Sequence, residues 1–327
     1  MIKKTEEQYS IADLWLSHTE KLWDKHWLKK VKELVNWVGF QVRIEKLYSP
    51  DEGRPAEDPV MLFRCLLLAQ WYGLSDRQLE EALEFRIDFR KFAGLSYGEA
   101  APDHSTFSVF RGRIERIWKK LMQKMNEQLE RAGYRIKEAV AVDATLVEAH
   151  RKPQGTRKQG DPEASWRGFP TKKVMDSQGN EAVARRPALY GYKINLASSV
   201  KHGFVSGLTV TKASEHETHH FREFLNQKTK AAYGDKGYIG NRRYLKAQGI
   251  RDGIQAKAVR GKELGKADVK RNKRITKKRR FIEGVFGSWK QWYGWYQTRY
   301  MGIARNQLAA TLTAIAWNMK KWAALRA

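Results

Sequence analysis

From Trp23 onward, apolar residues recur at Trp27, Val31, Leu34, Val35 and Val38, a stripe along one face of a helix that Gly39 closes. A second run opens with Asp58 as cap and Pro59 at the first helical position. It passes through Met61, Leu62, Leu66 and Leu67 and stops at Gly73; being apolar on nearly every side, it predicts a central helix. Ser75 and Gln78 have the spacing of a capping box and open a short helix with Leu79 and Leu83 inward. Pro102-Asp103 then starts a long helix through Phe107, Phe110, Ile114, Ile117, Trp118 and Leu121.

After Gly133 the periodicity changes. Ala139 to Asp143 is a short apolar strand tipped by an acid, and Ala231 to Asp235 is another. Between them lie a polar stretch from Arg151 to Arg186, expected as an exposed excursion, and two strands, Tyr190 to Ser198 and Val205 to Thr211, forming a hairpin around His202-Gly203. A helix with Phe221, Phe224 and Leu225 on one face follows the hairpin. The expected class is α+β, a helical domain over 1–134 followed by a mixed-sheet domain over 135–327. The apolar stretches around Leu66 to Tyr72 and Leu308 to Trp317 fall short of the roughly 20 residues of a membrane span. The opening MIKKTEEQYS lacks a signal core, so a cytoplasmic location with no membrane partner is expected.

Charge adds a partner to this outline. The 327 residues carry a formal charge of +26, yet the first 150 hold 24 bases and 24 acids, so the whole excess lies in the second half, with 38 bases against 12 acids. Such asymmetry is the mark of a polyanion ligand bound through phosphate neutralisation. Lys257 to Arg280 alone contains 12 bases, and Trp289, Trp292, Tyr293, Trp295 and Tyr296 follow closely. Bases there, among them Lys277, Lys278 and Arg280, would track double-stranded DNA, while most of the aromatics pack and Trp292 or Trp295 is free to stack on an unpaired base. The outer face of the long helix, with Ser105, Ser108, Arg111 and Arg113, suits helix-turn-helix contact with DNA. Lone Cys65 excludes an intrachain disulfide framework and a cysteine zinc cluster.

The acids supply candidate chemistry. If the two acid-tipped strands pair in parallel, Asp143 and Asp235 lie about 4.8 Å apart at neighbouring strand ends, close enough to share a cation. A third acid, Glu283, borders the helical stripe Ile282, Val285, Phe286 and Trp289, with Arg279 and Lys290 near the same face. Three carboxylates fit a phosphoryl-transfer site holding two Mg²⁺, for which Mn²⁺ can substitute, and oxygen-only ligands select these hard ions over zinc. A rival motif, His216-Glu217-Thr218-His219-His220, matches the zinc-peptidase pattern H-E-x-x-H with Glu217 as base. Ser214 and Glu217 also have capping-box spacing, which gives Glu217 a structural task at a helix start.

The ensemble resembles bacterial insertion-sequence DDE transposases of the insertion sequence 5 (InsH-like) family. RPAEDPVMLFRCLLLAQWYGLSDRQLEEAL and PDHSTFSVFR resemble the family's helical amino-terminal part; AVDATLVEAH, YGYKINLASSV, AYGDKGYIG and RRFIEGVFGSWK resemble its catalytic part. The resemblance implies an RNase H-like fold and carries the catalytic triad onto Asp143, Asp235 and Glu283, with Arg279 and Lys290 as the basic residues of the glutamate motif. Thr276 stands where a related signature has tyrosine. The 48-residue interval from Asp235 to Glu283 is too short for a large insertion domain. The implied activity is binding of the element's terminal inverted repeats, metal-dependent end cleavage and joining of 3′ ends to target DNA by a dimer or larger assembly. A nuclease without strand transfer and a DNA-binding regulator are the alternatives.

Overall fold

The computed structural model describes residues 17–49, 56–154, 159–169, 172–175, 181–184, 187–259 and 261–326. Eight helices come first: α1 (Ser17–Lys25), α2 (Trp27–Leu34), α3 (Val38–Glu45), α4 (Pro59–Tyr72), α5 (Asp76–Phe85), α6 (Ile87–Ala93), α7 (His104–Ile114) and α8 (Trp118–Arg131). The apolar stripe from Trp23 is thus three helices, not one. His26 ends the first segment and caps the second with its side chain, and Val35 is extended, so Gly39 falls inside α3. The stripe loses its phase at the second break: Val38 is 63% exposed, and α3 turns Phe40 and Ile44 to the core instead. The central helix α4 forms as its signals dictate: Asp58 accepts from the Val60 N–H, and Gly73 ends it at φ +70°, a conformation open to glycine. The Ser75/Gln78 capping box is complete in both directions. The long helix is interrupted by a 3-10 turn at Glu115–Ile117.

The second part holds β1 (Ala139–Glu148), β2 (Ser165–Arg167), β3 (Lys172–Met175), β4 (Glu181–Ala184), β5 (Leu189–Ser199), β6 (Val205–Lys212), β7 (Ala231–Gly234), α9 (Arg242–Ala247), β8 (Arg251–Ile254), α10 (Lys266–Tyr293) and α11 (Ile303–Leu325). The main sheet runs β2-β5-β1-β7-β8, and β6 also pairs with β5; β3 and β4 form a separate hairpin. β1, β5 and β6 are antiparallel in turn, whereas β1, β7 and β8 are parallel. Three antiparallel strands continued by two parallel ones is the RNase H-like arrangement, an α+β fold with a mixed sheet between helical layers. The excursion from Arg151 is less detached than expected, since Ser165–Arg167 joins the sheet beside β5.

One sheet face buries Ala141, Val147, Ile194 and Leu196 in a core continuous with α4, α8, α10 and α11. The other buries Val140, Val142 and Ala197 under Phe221, Tyr238 and Leu245. Helix α11 joins the helical and sheet parts. Trp71 of α4 donates to the Ala316 carbonyl at 2.9 Å, and Asn318 bonds both the N–H and the carbonyl of Val205 on β6 at 2.8 Å. Gln307 accepts from the Val210 N–H, so amide side chains of one helix satisfy backbone groups of an edge strand.

The start of α11 rests on a buried acid. Asp161 Oδ2 accepts from Tyr192 OH at 2.6 Å and from the Gly302 N–H at 3.0 Å, and Glu163 accepts from the Ile303 N–H at 2.7 Å. Gly302 has φ +87°, and a Cβ there would stand 2.9 Å from Glu163 Oε2. Asp161→Ala strips a charged acceptor from the buried Tyr192 hydroxyl and the part-buried Gly302 N–H and is expected to cost about 2 kcal/mol, read as a lowered denaturation midpoint at unchanged slope.

Candidate active site

The parallel pairing of β1 and β7 matches Ala139 with Ala231, Val140 with Ala232 and Ala141 with Tyr233. Continued by two positions, this register sets Asp143 opposite Asp235. β7 stops at Gly234, while β1 runs on to Glu148, so Asp143 stands within its strand rather than at its tip, at a notch beside the end of β7. Asp235 begins a 3-10 turn, Lys236–Asn241, and its Oδ1 accepts from the Gly237 N–H at 2.8 Å.

Asp143 meets a cation from the helical layer. Arg279 of α10, 6% exposed, donates through Nη2 to Asp143 Oδ2 at 2.7 Å, and the Ala144 N–H donates to Oδ1 at 2.9 Å. Burial pushes the Asp143 carboxyl up to about 6, against the pull of Arg279 and the Ala144 N–H; the charges of Asp235 and Glu217 push the same way as burial. Glu283 follows Arg279 by one helical turn and is exposed. The apolar stripe Ile275, Ile282 and Phe286 passes through Arg279, which explains why this arginine turns inward while Lys277, Lys278 and Arg280 are exposed. Thr276 accepts from Gln255 Nε2 at 2.9 Å. Lys290 is half-buried, and burial lowers its ammonium pKa.

Several expectations change. Arg111 is not on an outer face: it grips Asp76 with both terminal nitrogens and lies over the Tyr300 ring, so its charge is spent between α5 and α7. Arg113 is exposed but lies over the Tyr48 ring, 4.6 Å from its centroid. Trp295 is buried and bonded to Thr313, whereas Trp292 is 68% exposed. The H-E-x-x-H helix does not form; two 3-10 turns, Glu217–His219 and Phe221–Phe224, replace it, and His216 rather than Ser214 is the cap. His220 has both ring nitrogens on carboxylates, Glu215 at 2.7 Å and Glu223 at 2.9 Å, and His216 is bonded to Thr218. The zinc-peptidase geometry is therefore not assembled.

Glu217 is the acid that sequence reasoning misplaced. A Cβ added to Gly237 would stand 2.9 Å from Asp235 Oδ1 and 3.1 Å from Glu217 Oε1, so both carboxylates border the space in front of this glycine. The available signal was strand direction: β6 runs parallel to β1 and β7, so the chain leaving it emerges at the edge toward which Asp143 and Asp235 point. Hard oxygen donors, an Asp143 carboxyl raised by burial and a glycine cradle between two acids fit a divalent cation. No three ligand atoms of these acids lie within 4.8 Å of one another. Among the described residues Glu80, Asp103 and His104 alone reach that closeness, but there Asp103 caps α7 and Glu80 accepts from the His104 N–H and ring.

Sheet order and acid register define the class as an RNase H-like α+β protein with acids at the parallel strand ends. Residues 134–319 match the family model described as the transposase DDE domain, and residues 17–113 match the transposase domain DUF772. The chain belongs to the DDE transposases, DNA-cleaving and strand-transferring enzymes that generally use divalent metal ions. Among solved structures, it is similar to the piggyBac transposase of a synaptic complex with hairpin DNA, with TM-score 0.42 and 8% identity over 89% of this chain and 72% of that one. Among the described residues, no helix is long and apolar enough to cross a membrane.

Proposed function

We propose that this chain is the transposase of an insertion sequence of the insertion sequence 5 kind. It binds the terminal inverted repeats of its element, cleaves the ends by Mg²⁺-dependent hydrolysis and joins the 3′ ends to target DNA. The observation that carries this reading is the β1/β7 register, which leads to Asp143 and Asp235 inside the segment that matches the DDE domain. Asp143, Asp235 and Glu283 are the catalytic carboxylates and hold two Mg²⁺, with Mn²⁺ able to substitute. Bound there, the ions would supply an activated water nucleophile and stabilise the leaving 3′ oxygen. Arg279 holds Asp143 in place and offsets its charge. The helical domain, 1–134, serves end binding and assembly, the domain 135–327 serves catalysis, and a dimer or larger assembly in the bacterial cytoplasm, on the nucleoid, handles both ends together.

Lys277, Lys278 and Arg280 contact phosphates, with Lys290, Arg113 and Trp292 as further DNA contacts. Changing the first three together to alanine is expected to reduce the slope of log affinity against log salt by about 2 to 3 and to weaken binding to all duplexes alike. Arg111→Ala is expected to lower the melting temperature through the lost Asp76 pair and leave that slope unchanged. A triple variant with the parent's slope would remove this helix from the interface.

The deciding assay incubates the purified protein with a plasmid carrying the element's native flanks, in Mg²⁺ or EDTA. Mg²⁺-dependent cleavage with joined products supports the transposase reading. Nicks without joining indicate a nuclease, and specific binding without cleavage indicates a regulator.

A further inference from the structure

The turn after β6 is fastened to the site from two sides. Asn241, in the turn that Asp235 opens, donates to the Thr218 carbonyl at 3.4 Å and accepts from Arg222 Nε at 3.0 Å. From β5, buried Lys193 donates to the Glu215 carbonyl. Between these anchors Glu217 is half-buried, with its Oε1 beside Gly237 and across from Asp235 Oδ1. Neither Glu217 nor Asp235 has an ion-pair partner within 4.0 Å among the described residues, although Asp143 has Arg279. The Lys193 ammonium acts on Glu217 from beyond that distance, and the two facing carboxylates repel each other.

A second observation comes from the turn that Asp235 opens. The Tyr238 ring is fully buried against Phe221, and its hydroxyl has no hydrogen-bond partner among the described residues. Burial, and then the charges of Glu217, Asp143 and Asp235, hold that hydroxyl protonated, against the pull of Arg279. A fully buried hydroxyl left unpartnered within reach of these charges marks an unmet polar group beside the acids, where a packed turn would satisfy it.

We propose that Glu217 and Asp235 together hold one divalent cation, Mg²⁺ or Mn²⁺, in front of Gly237, which makes Glu217 a fourth metal-ligating carboxylate of the site. This rests on the transposase reading above and extends its three acids to four. Gly237 has the role of leaving room, since a side chain there would enter the space between the two carboxylates.

The test is Mn²⁺ titration of the EDTA-stripped full-length protein, followed by calorimetry or by the electron paramagnetic resonance signal of free Mn²⁺, with melting curves run in parallel. Glu217→Gln is expected to lower Mn²⁺ affinity tenfold or more and to shrink the melting-temperature rise that Mn²⁺ gives. In EDTA the same variant is expected to melt no lower than wild type and to bind duplex DNA equally. Gly237→Ala is expected to weaken Mn²⁺ independently. Wild-type Mn²⁺ affinity in both variants, alongside loss in Asp143→Asn, overturns the fourth carboxylate and leaves the three-acid site standing. A wild-type protein that takes up no Mn²⁺ at millimolar concentration overturns the metal-site reading itself, and this inference with it.

Discussion

Asparagine at position 143 is expected to reduce end cleavage by three orders of magnitude or more in a protein that stays folded. The side chain keeps its shape, but its single amide oxygen can replace only one of the two carboxylate oxygens that accept from Arg279 and the Ala144 N–H, and it no longer supplies a charge to a cation. Stability should move the other way. Because burial raises the Asp143 carboxyl from 3.8 to about 6, the folded state holds its proton more tightly than the unfolded chain. That contribution is present in full at low pH and is lost as pH rises through 6; above it, the ionised carboxylate costs on the order of 3 kcal/mol. In EDTA at pH 7.5 the Asp143→Asn variant should therefore melt at or above wild type, by roughly 3 °C. Near pH 4 the difference should vanish. Adding Mn²⁺ should raise the melting temperature of wild type and that of the variant by less. Cleavage above 1% of wild type, or a variant that melts lower at pH 7.5 than at pH 4 relative to wild type, would remove Asp143 from this role.

The parallel register of the acid-tipped strands could be anticipated because both segments are short, apolar and end alike, so burial and charge point to one pairing. The caps at Asp58 and Ser75 were legible for a similar reason, since each side chain bonds within its own turn. Ser214 and Glu217 have the same spacing as Ser75 and Gln78, yet no capping box forms. The Ser214 N–H donates to Ser165 Oγ, while Lys193 and Asn241 draw the following residues onto the sheet, so distant partners decide the local conformation. Arg279 was legible in position but not in direction. Its phase with Ile275, Ile282 and Phe286 marks an inward arginine, but only the register of the sheet beneath it supplies Asp143 as the partner that makes burial affordable. Arg111 illustrates the reverse limit, because Asp76 lies 35 residues away and no periodicity links them.

Arg279 itself is the site of the second large effect. Replacing it with methionine leaves Asp143 buried without its cation, and the carboxyl responds by holding its proton to still higher pH. Because protonation relieves the buried charge, the loss of stability is expected to stay near 2 kcal/mol, below the cost of a stranded ion. Cleavage at pH 7.5 should fall at least a hundredfold, since a protonated Asp143 no longer serves as a ligand. Arg279→Lys keeps a point charge, and as only one Nη2 bond reaches Asp143, it should recover part of the activity. Duplex affinity in EDTA and its salt slope should match wild type in both variants, because the guanidinium is turned to Asp143 and not to solvent. A slope reduced by about one in Arg279→Met, with activity falling only in step with DNA binding, would make Arg279 a phosphate contact and not the group that holds Asp143 ready for a cation.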